Sequence, residues 1–160
     1  MNIRPIAPND DTILYDLIRE ILEEEGLNLP GSAYYDKSLK HLSSYYQTHQ
    51  PCAYFVITDK DEKVVGGGGF APFSTGICEL QKFYLDKKYR GQGWSKLLLE
   101  KIISEAQKNY DAIYLESHSK LQSALFLYKK YGFEELEAPL PQSEHSLMDH
   151  WMIKKALCQL

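Results

Sequence analysis

The segment richest in chemical meaning is Arg90-Gly91-Gln92-Gly93-Trp94-Ser95, where two glycines stand at the start of a helix-forming run. The first N–H groups of a helix have no internal partner. Glycines let the backbone curl around an anion, and the helix dipole adds a field worth ~0.3 to 2 kcal/mol per contact. That geometry suits a pyrophosphate. The competing reading is a tight strand-to-helix turn with no ligand. A nucleotide triphosphatase loop is excluded, because Ser95 precedes Lys96 and the glycine spacing is too short. A dinucleotide fingerprint is excluded too, since Lys96 occupies the place of its third glycine.

Other reactive side chains are scattered. His118, His145 and His150 show neither HxxxH nor HxH spacing, so no metal site is expected. Cys52, Cys78 and Cys158 lack a CxxC pair and read as reduced thiols. Cys78 is read as a small buried hydrophobe rather than an acyl-carrying nucleophile.

The elements that must position these groups follow from periodicity. Ile13, Leu14, Leu17, Ile18, Ile21 and Leu22 recur at helical spacing, with Asp10 or Asp11 as cap and Gly26 as stop. A second helix is expected from about Asp36 to Gln47, with Leu39, Leu42 and Tyr46 inward. Ala53 to Thr58 and Lys63 to Phe70 read as a hairpin around Asp59-Lys60-Asp61. Gly66 to Gly69 would weaken a strand; they imply either a bulge or close approach, or simply a glycine-rich strand end. A third run, Ile77 to Leu85, mixes apolar and polar residues as a central strand bordering a ligand would. A helix then runs from near Trp94 to about Asn109, followed by a strand at Ile113 to Ser117. A last helix carries Ala124 to Tyr131 and stops at Gly132, and Phe133 to Leu136 and Trp151 to Ala156 finish the sheet around a polar loop, Pro139 to His150.

At 160 residues with 44% hydrophobic and 25% charged side chains, the chain suits one α/β domain spanning 1–160. A net charge of −4, with no window rich in Lys and Arg, argues against nucleic acid. The absence of a long apolar stretch and of a signal-like start reads as a cytoplasmic protein without a membrane partner.

Taken with Leu80-Gln81-Lys82-Phe83-Tyr84-Leu85 before it and Leu97-Leu98-Leu99 after it, the glycine loop resembles the acyl-CoA signature [QR]xxGx[GA] of the GNAT superfamily of N-acyltransferases. Arg90 and Gly93 match, and Ser95 stands where glycine or alanine is usual. The run Ala124 to Phe133 is similar to the family's second motif, AxxLYxKxGF, with Leu121 in place of a common cofactor-contacting asparagine. The resemblance implies a mixed, mostly antiparallel sheet of about seven strands, splayed between the fourth and fifth, with about four helices. It implies acetyl-CoA as co-substrate and a small-molecule or peptide primary amine as acceptor, acetylated by direct attack in a ternary complex.

By the same resemblance, the cofactor contacts are Phe83, Tyr84, Leu85, Arg90, Gly91, Gln92, Gly93, Trp94 and Ser95. Phe83 would offer its backbone N–H to the thioester oxygen. An alkyl amine of pKa ~10.4 is deprotonated in about one molecule in 10³ at pH 7, a handicap of ~4 to 5 kcal/mol, so attack gains from a base. Glu79 is the first candidate for that role, with Glu116 second. Tyr128 matches a tyrosine that donates a proton to the departing thiolate. Glu116, His145 and Asp149 are expected to contact the acceptor. The other reading, motivated by Ser95 and Leu121, is an acyl-CoA binding or sensing module with little or no turnover. Exposed strand edges permit a homodimer.

Overall fold

In the computed structural model, which describes residues 1–155, the period-2 apolar runs pair into one seven-stranded sheet. Its strands are β1 Asn2–Pro5, β2 Ala53–Thr58, β3 Val64–Ser74, β4 Ile77–Leu85, β5 Ala112–Ser117, β6 Glu134–Leu136 and β7 His150–Lys154. They lie in the order β1-β2-β3-β4-β5-β7-β6, and only the β4–β5 pair is parallel. β1 was not anticipated from the residues: four positions ending in a proline give too little alternation to read, and the strand is legible only through its pairing with β2. The end of the expected last strand, Ala156, and Cys158 lie outside the described residues.

Alternation along β2 shows how the sheet separates two cores. Phe55 and Ile57 join a cluster with α3 (Trp94–Ala106) and α4 (Gln122–Lys130), while Tyr54 and Val56 join one with α1 (Asp11–Glu24) and α2 (Leu42–Thr48). α1 buries Leu14, Ile18 and Leu22, each worth ~1.5 to 3 kcal/mol, and ends at Gly26 with φ +69°. Asp10 does not cap it. Its carboxylate instead takes the Ala7 N–H at 2.8 Å and the Arg4 guanidinium, while Asp11 ties α1 to α2 by accepting from the Ser43 N–H and hydroxyl. Among the described residues no helix is long and apolar enough to cross a membrane.

The second helix differs from expectation. A 3-10 turn, Lys37–His41, precedes α2, and His41 at φ −136°, ψ 46° breaks the helix between them. Leu39, Leu42 and Tyr46 are all buried as expected. Asp36, extended at φ −63°, ψ 128°, is thereby left outside the helix with its carboxylate free to reach the sheet.

Gly66 to Gly69 sit inside β3 rather than at its end, all four paired with β2 and all but Gly68 paired with β4. They are there for close approach. A Cβ on Gly67 would meet the Tyr54 ring at 2.6 Å, one on Gly68 the Phe83 ring at 2.7 Å, and one on Gly69 the Ala53 carbonyl oxygen at 2.3 Å.

Candidate active site

β4 is the spine of the site, and an irregularity in it sets the geometry. Gly67 pairs with Tyr84 and Gly69 with Gln81, so Gly68 faces both Lys82 and Phe83. That is a β-bulge, with Lys82 at φ +51°, a conformation a lysine adopts only under constraint. The Tyr54 hydroxyl, lying over the glycines, donates to the Lys82 carbonyl at 2.7 Å and holds the bulge. Across it the facing of side chains shifts by one. Cys78 and Leu80 join the α3–α4 core, Gln81 and Lys82 both bond partners on the α1–α2 side, and Phe83 and Leu85 return to the α3–α4 core.

On the α1–α2 side these residues join a polar network. The Gln81 amide donates to Glu79 at 2.7 Å, and the Tyr46 hydroxyl donates to Gln81 at 2.7 Å. Lys82 donates to Asp36, and His145, on the β6–β7 loop, lies 3.0 Å from both Asp36 oxygens through Nε2. Glu116 on β5 takes the hydroxyls of Tyr114 and Ser143 on Oε2, leaving Oε1 buried without a hydrogen bond. Burial holds Glu79 above the ordinary carboxylate value, with Glu116 adding to the shift and the Gln81 amide opposing it. The Asp36 hydrogen bond raises His145. Burial would raise Asp36 as well, but His145 and Lys82 outweigh it and hold that carboxyl low.

Two openings meet at this network. β4 and β5 pair only over Ile77–Glu79 and Ala112–Tyr114, then separate. A slot of about 70 Å³ lies in the gap, bordered by Phe83, Tyr84, Leu115 and Tyr128. A groove of about 700 Å³ lies on the other side, bordered by Asp36, Tyr45, Phe73 and Glu144. Glu79, Gln81, Lys82 and His145 border both.

Beyond the end of β4 comes the glycine loop. Gly91 and Gly93 take φ +76° and +86°, and a Cβ on either would touch nothing within 4 Å, so backbone conformation rather than crowding calls for glycine. Among the described residues, no backbone N–H from Gly91 to Ser95 donates to a protein acceptor; the first such bond is Leu97 N–H to Gly93 at 3.2 Å. Arg90 braces the loop by donating from Nε to the Leu85 carbonyl at 3.0 Å.

The acetyltransferase (GNAT) family model matches residues 14–133. This chain belongs to the GNAT family.

A GNAT relative from Escherichia coli (strain K12), called an uncharacterized N-acetyltransferase, YjgM, is 32% identical over 156 residues, which span 90% of this chain and 92% of its own. A GNAT acetyltransferase structure from Staphylococcus aureus Mu50 superposes with a TM-score of 0.88 at 23% identity, covering 97% of this chain and 98% of that one. A phosphinothricin acetyltransferase of Sinorhizobium meliloti, solved in complex with AcCoA, gives 0.73 at 18% identity over 97% of this chain and 88% of its own. The sheet order and the gap between the fourth and fifth strands are the GNAT architecture.

Of the residues singled out in the sequence, the structure brings Glu79, Glu116 and His145 together and sets Phe83, Tyr84 and Tyr128 along the slot. Leu85 turns its side chain into the core, and Arg90 through Ser95 form the loop and the start of α3. Asp149 is held elsewhere: its carboxylate takes the Ser119 N–H and hydroxyl at 2.8 Å each, and it borders neither opening. Cys78 is fully buried and its thiol is pushed up to about 12 by burial, which removes it as a nucleophile. Burial also pushes the Tyr128 phenol well up. Sequence reasoning missed Asp36, Tyr46 and Tyr54. It had quoted Gln81 and Lys82 without a role, and two adjacent polar residues inside a buried strand were the available signal.

Proposed function

We propose that this chain transfers an acetyl group from acetyl-CoA to a primary amine by direct attack within a ternary complex. The observation that carries this reading is the buried Glu79 carboxyl at the junction of two separate openings, one between the parted strands and one beneath the Asp36 and Tyr45 segment. The unpartnered amides of Gly91 to Ser95 hold the diphosphate, and the pantetheine arm enters the slot by adding to the free edges of β4 and β5. That a GNAT neighbour binds AcCoA supports the choice of donor.

The acceptor enters from the groove. Glu79 takes its proton, directly or through water, and the neutral amine attacks the carbonyl carbon while the Phe83 N–H steadies the developing oxyanion. The C–S bond then breaks, and the proton shed by the attacking nitrogen passes to the leaving thiolate, beside which the buried Tyr128 phenol lies. The phenol's contribution is a hydrogen bond to the departing sulfur. His145 and Glu116 flank the amine, and Asp36 holds His145 in place.

Incubation with acetyl-CoA and a panel of amines should release free thiol and yield products heavier by one acetyl group. The second reading, a coenzyme A sensing module, draws on Leu121, which packs into the α1–α2 core where a polar cofactor contact was expected. Tight coenzyme A binding by calorimetry with no thiol released on any amine would select it.

A further inference from the structure

We propose that Glu79, Glu116 and His145 form a binding site for one divalent transition-metal ion of the zinc type at the junction of slot and groove. Each side chain offers one ligand atom, and these atoms lie within 4.8 Å of one another. In each residue the other polar atom already has a partner. Glu116 Oε2 accepts from the Tyr114 and Ser143 hydroxyls, His145 Nε2 donates to Asp36, and Glu79 Oε1 accepts from the Gln81 amide. Outer partners of this kind orient metal ligands, and a carboxylate on the far nitrogen of a histidine is one of the usual ones.

The second observation is Glu116 Oε1, an oxygen buried without any hydrogen-bond partner on a side chain only 2% exposed. The His145 Nδ1 atom is 3.8 Å away, too far to donate to it. That same separation of 3.8 Å is what two metal–ligand bonds of about 2.1 Å span when they meet at a wide angle. Two such bonds span at most about 4.2 Å, so the ligand atoms, all within 4.8 Å of one another, need draw only slightly closer to meet one ion. One imidazole with two carboxylates suits zinc, cobalt or nickel; magnesium and calcium ask for more oxygens and no imidazole. Three protein ligands leave the fourth position open toward the groove, and because Glu79 then holds the ion in place of a proton, the metal-bound form is an inhibited one if Glu79 is the base proposed above.

The test is a cobalt(II) titration of the metal-free, full-length chain without coenzyme A, so its outcome does not depend on acetyl transfer. One equivalent should develop a visible d–d absorption that zinc abolishes and magnesium does not. Glu116→Gln and His145→Gln should each weaken binding by more than about 100-fold, and Asp36→Asn, which removes only an outer partner, by about 10- to 100-fold. His150→Gln, whose ring pairs with Glu135 away from the site, should leave it unchanged. Circular dichroism melts of each variant separate lost binding from lost folding. No absorption at one equivalent, or equal affinity in the Glu116 and His145 variants, would overturn the proposal.

Discussion

In the proposed reaction Glu79 is the residue on which the chemistry turns: its carboxyl is 8% exposed and still borders both openings. Glu79→Gln keeps the shape and the Gln81 contact but removes the proton acceptor. It should slow thiol release by about 10²- to 10⁴-fold in kcat, the usual weight of a general base. Tyr128→Phe should cost only about tenfold if the phenol donates a hydrogen bond without giving up its proton. If Glu79→Gln is as fast as the parent and Glu116→Gln is slow, the base is Glu116. At this scale Glu79, Glu116, Tyr128 and His145 were named through the family resemblance, by their places on its strands, in its second motif and in its polar loop, and not by a local pattern of their own. Asp36 was invisible. Its partners Lys82 and His145 lie 46 and 109 residues further on, and no local pattern joins them.

Among the elements, β3 and its neighbours were half legible. The glycine run left a bulge, close approach and a plain strand end all open, and what decides it is the approach of the Tyr54 ring from β2 and the Phe83 ring from β4, both of which depend on strand register. Register is also why the bulge at Lys82 could not be read locally. Gly69→Ala would drive a methyl to 2.3 Å from the Ala53 carbonyl oxygen, backbone that cannot move aside without shifting β2. Overpacking of that kind should cost ~1 to 3 kcal/mol in urea denaturation. Tyr54→Phe leaves the part-buried Lys82 carbonyl without its hydroxyl partner and should cost ~0.5 to 1.5 kcal/mol. It should also lower kcat, since the bulge sets where Phe83 faces. A Tyr54→Phe variant with full activity would show that the clamp serves stability alone. The break at His41 was hidden for a different reason: Leu39, Leu42 and Tyr46 all face inward on either side of it, so the apolar pattern reads as one helix.

The whole molecule is a sheet with a core on each face, parted between β4 and β5, and a ligand inserted there touches both halves. Coenzyme A at about 100 times its Kd should add ~2.7 kcal/mol, which for a chain of this size raises Tm by roughly 5 to 10 °C. Acid should act on the opposite side of the stability balance through Asp10, which joins β1 to the turn before α1. Burial alone would raise this carboxyl, but the two Arg4 bonds at 2.7 and 2.9 Å and the Ala7 N–H outweigh it and hold its pKa below the ordinary value. Because the folded pKa lies below the unfolded value of ~3.9, the unfolded chain binds more protons in that window. The contribution is therefore fully present above about pH 4 to 5 and lost as pH falls through the folded pKa. The Arg4 side chain is 37% exposed, so solvent screens the pair, and a discounted ~1 to 2 kcal/mol is the fair magnitude. Asp10→Asn should accordingly be less stable than the parent by that amount at pH 7 and nearly level with it below the folded pKa of Asp10, once both side chains are uncharged. Urea melts of the two proteins across that range measure the gap directly, and a gap that stays constant with pH would mean that the charge on Asp10 contributes nothing.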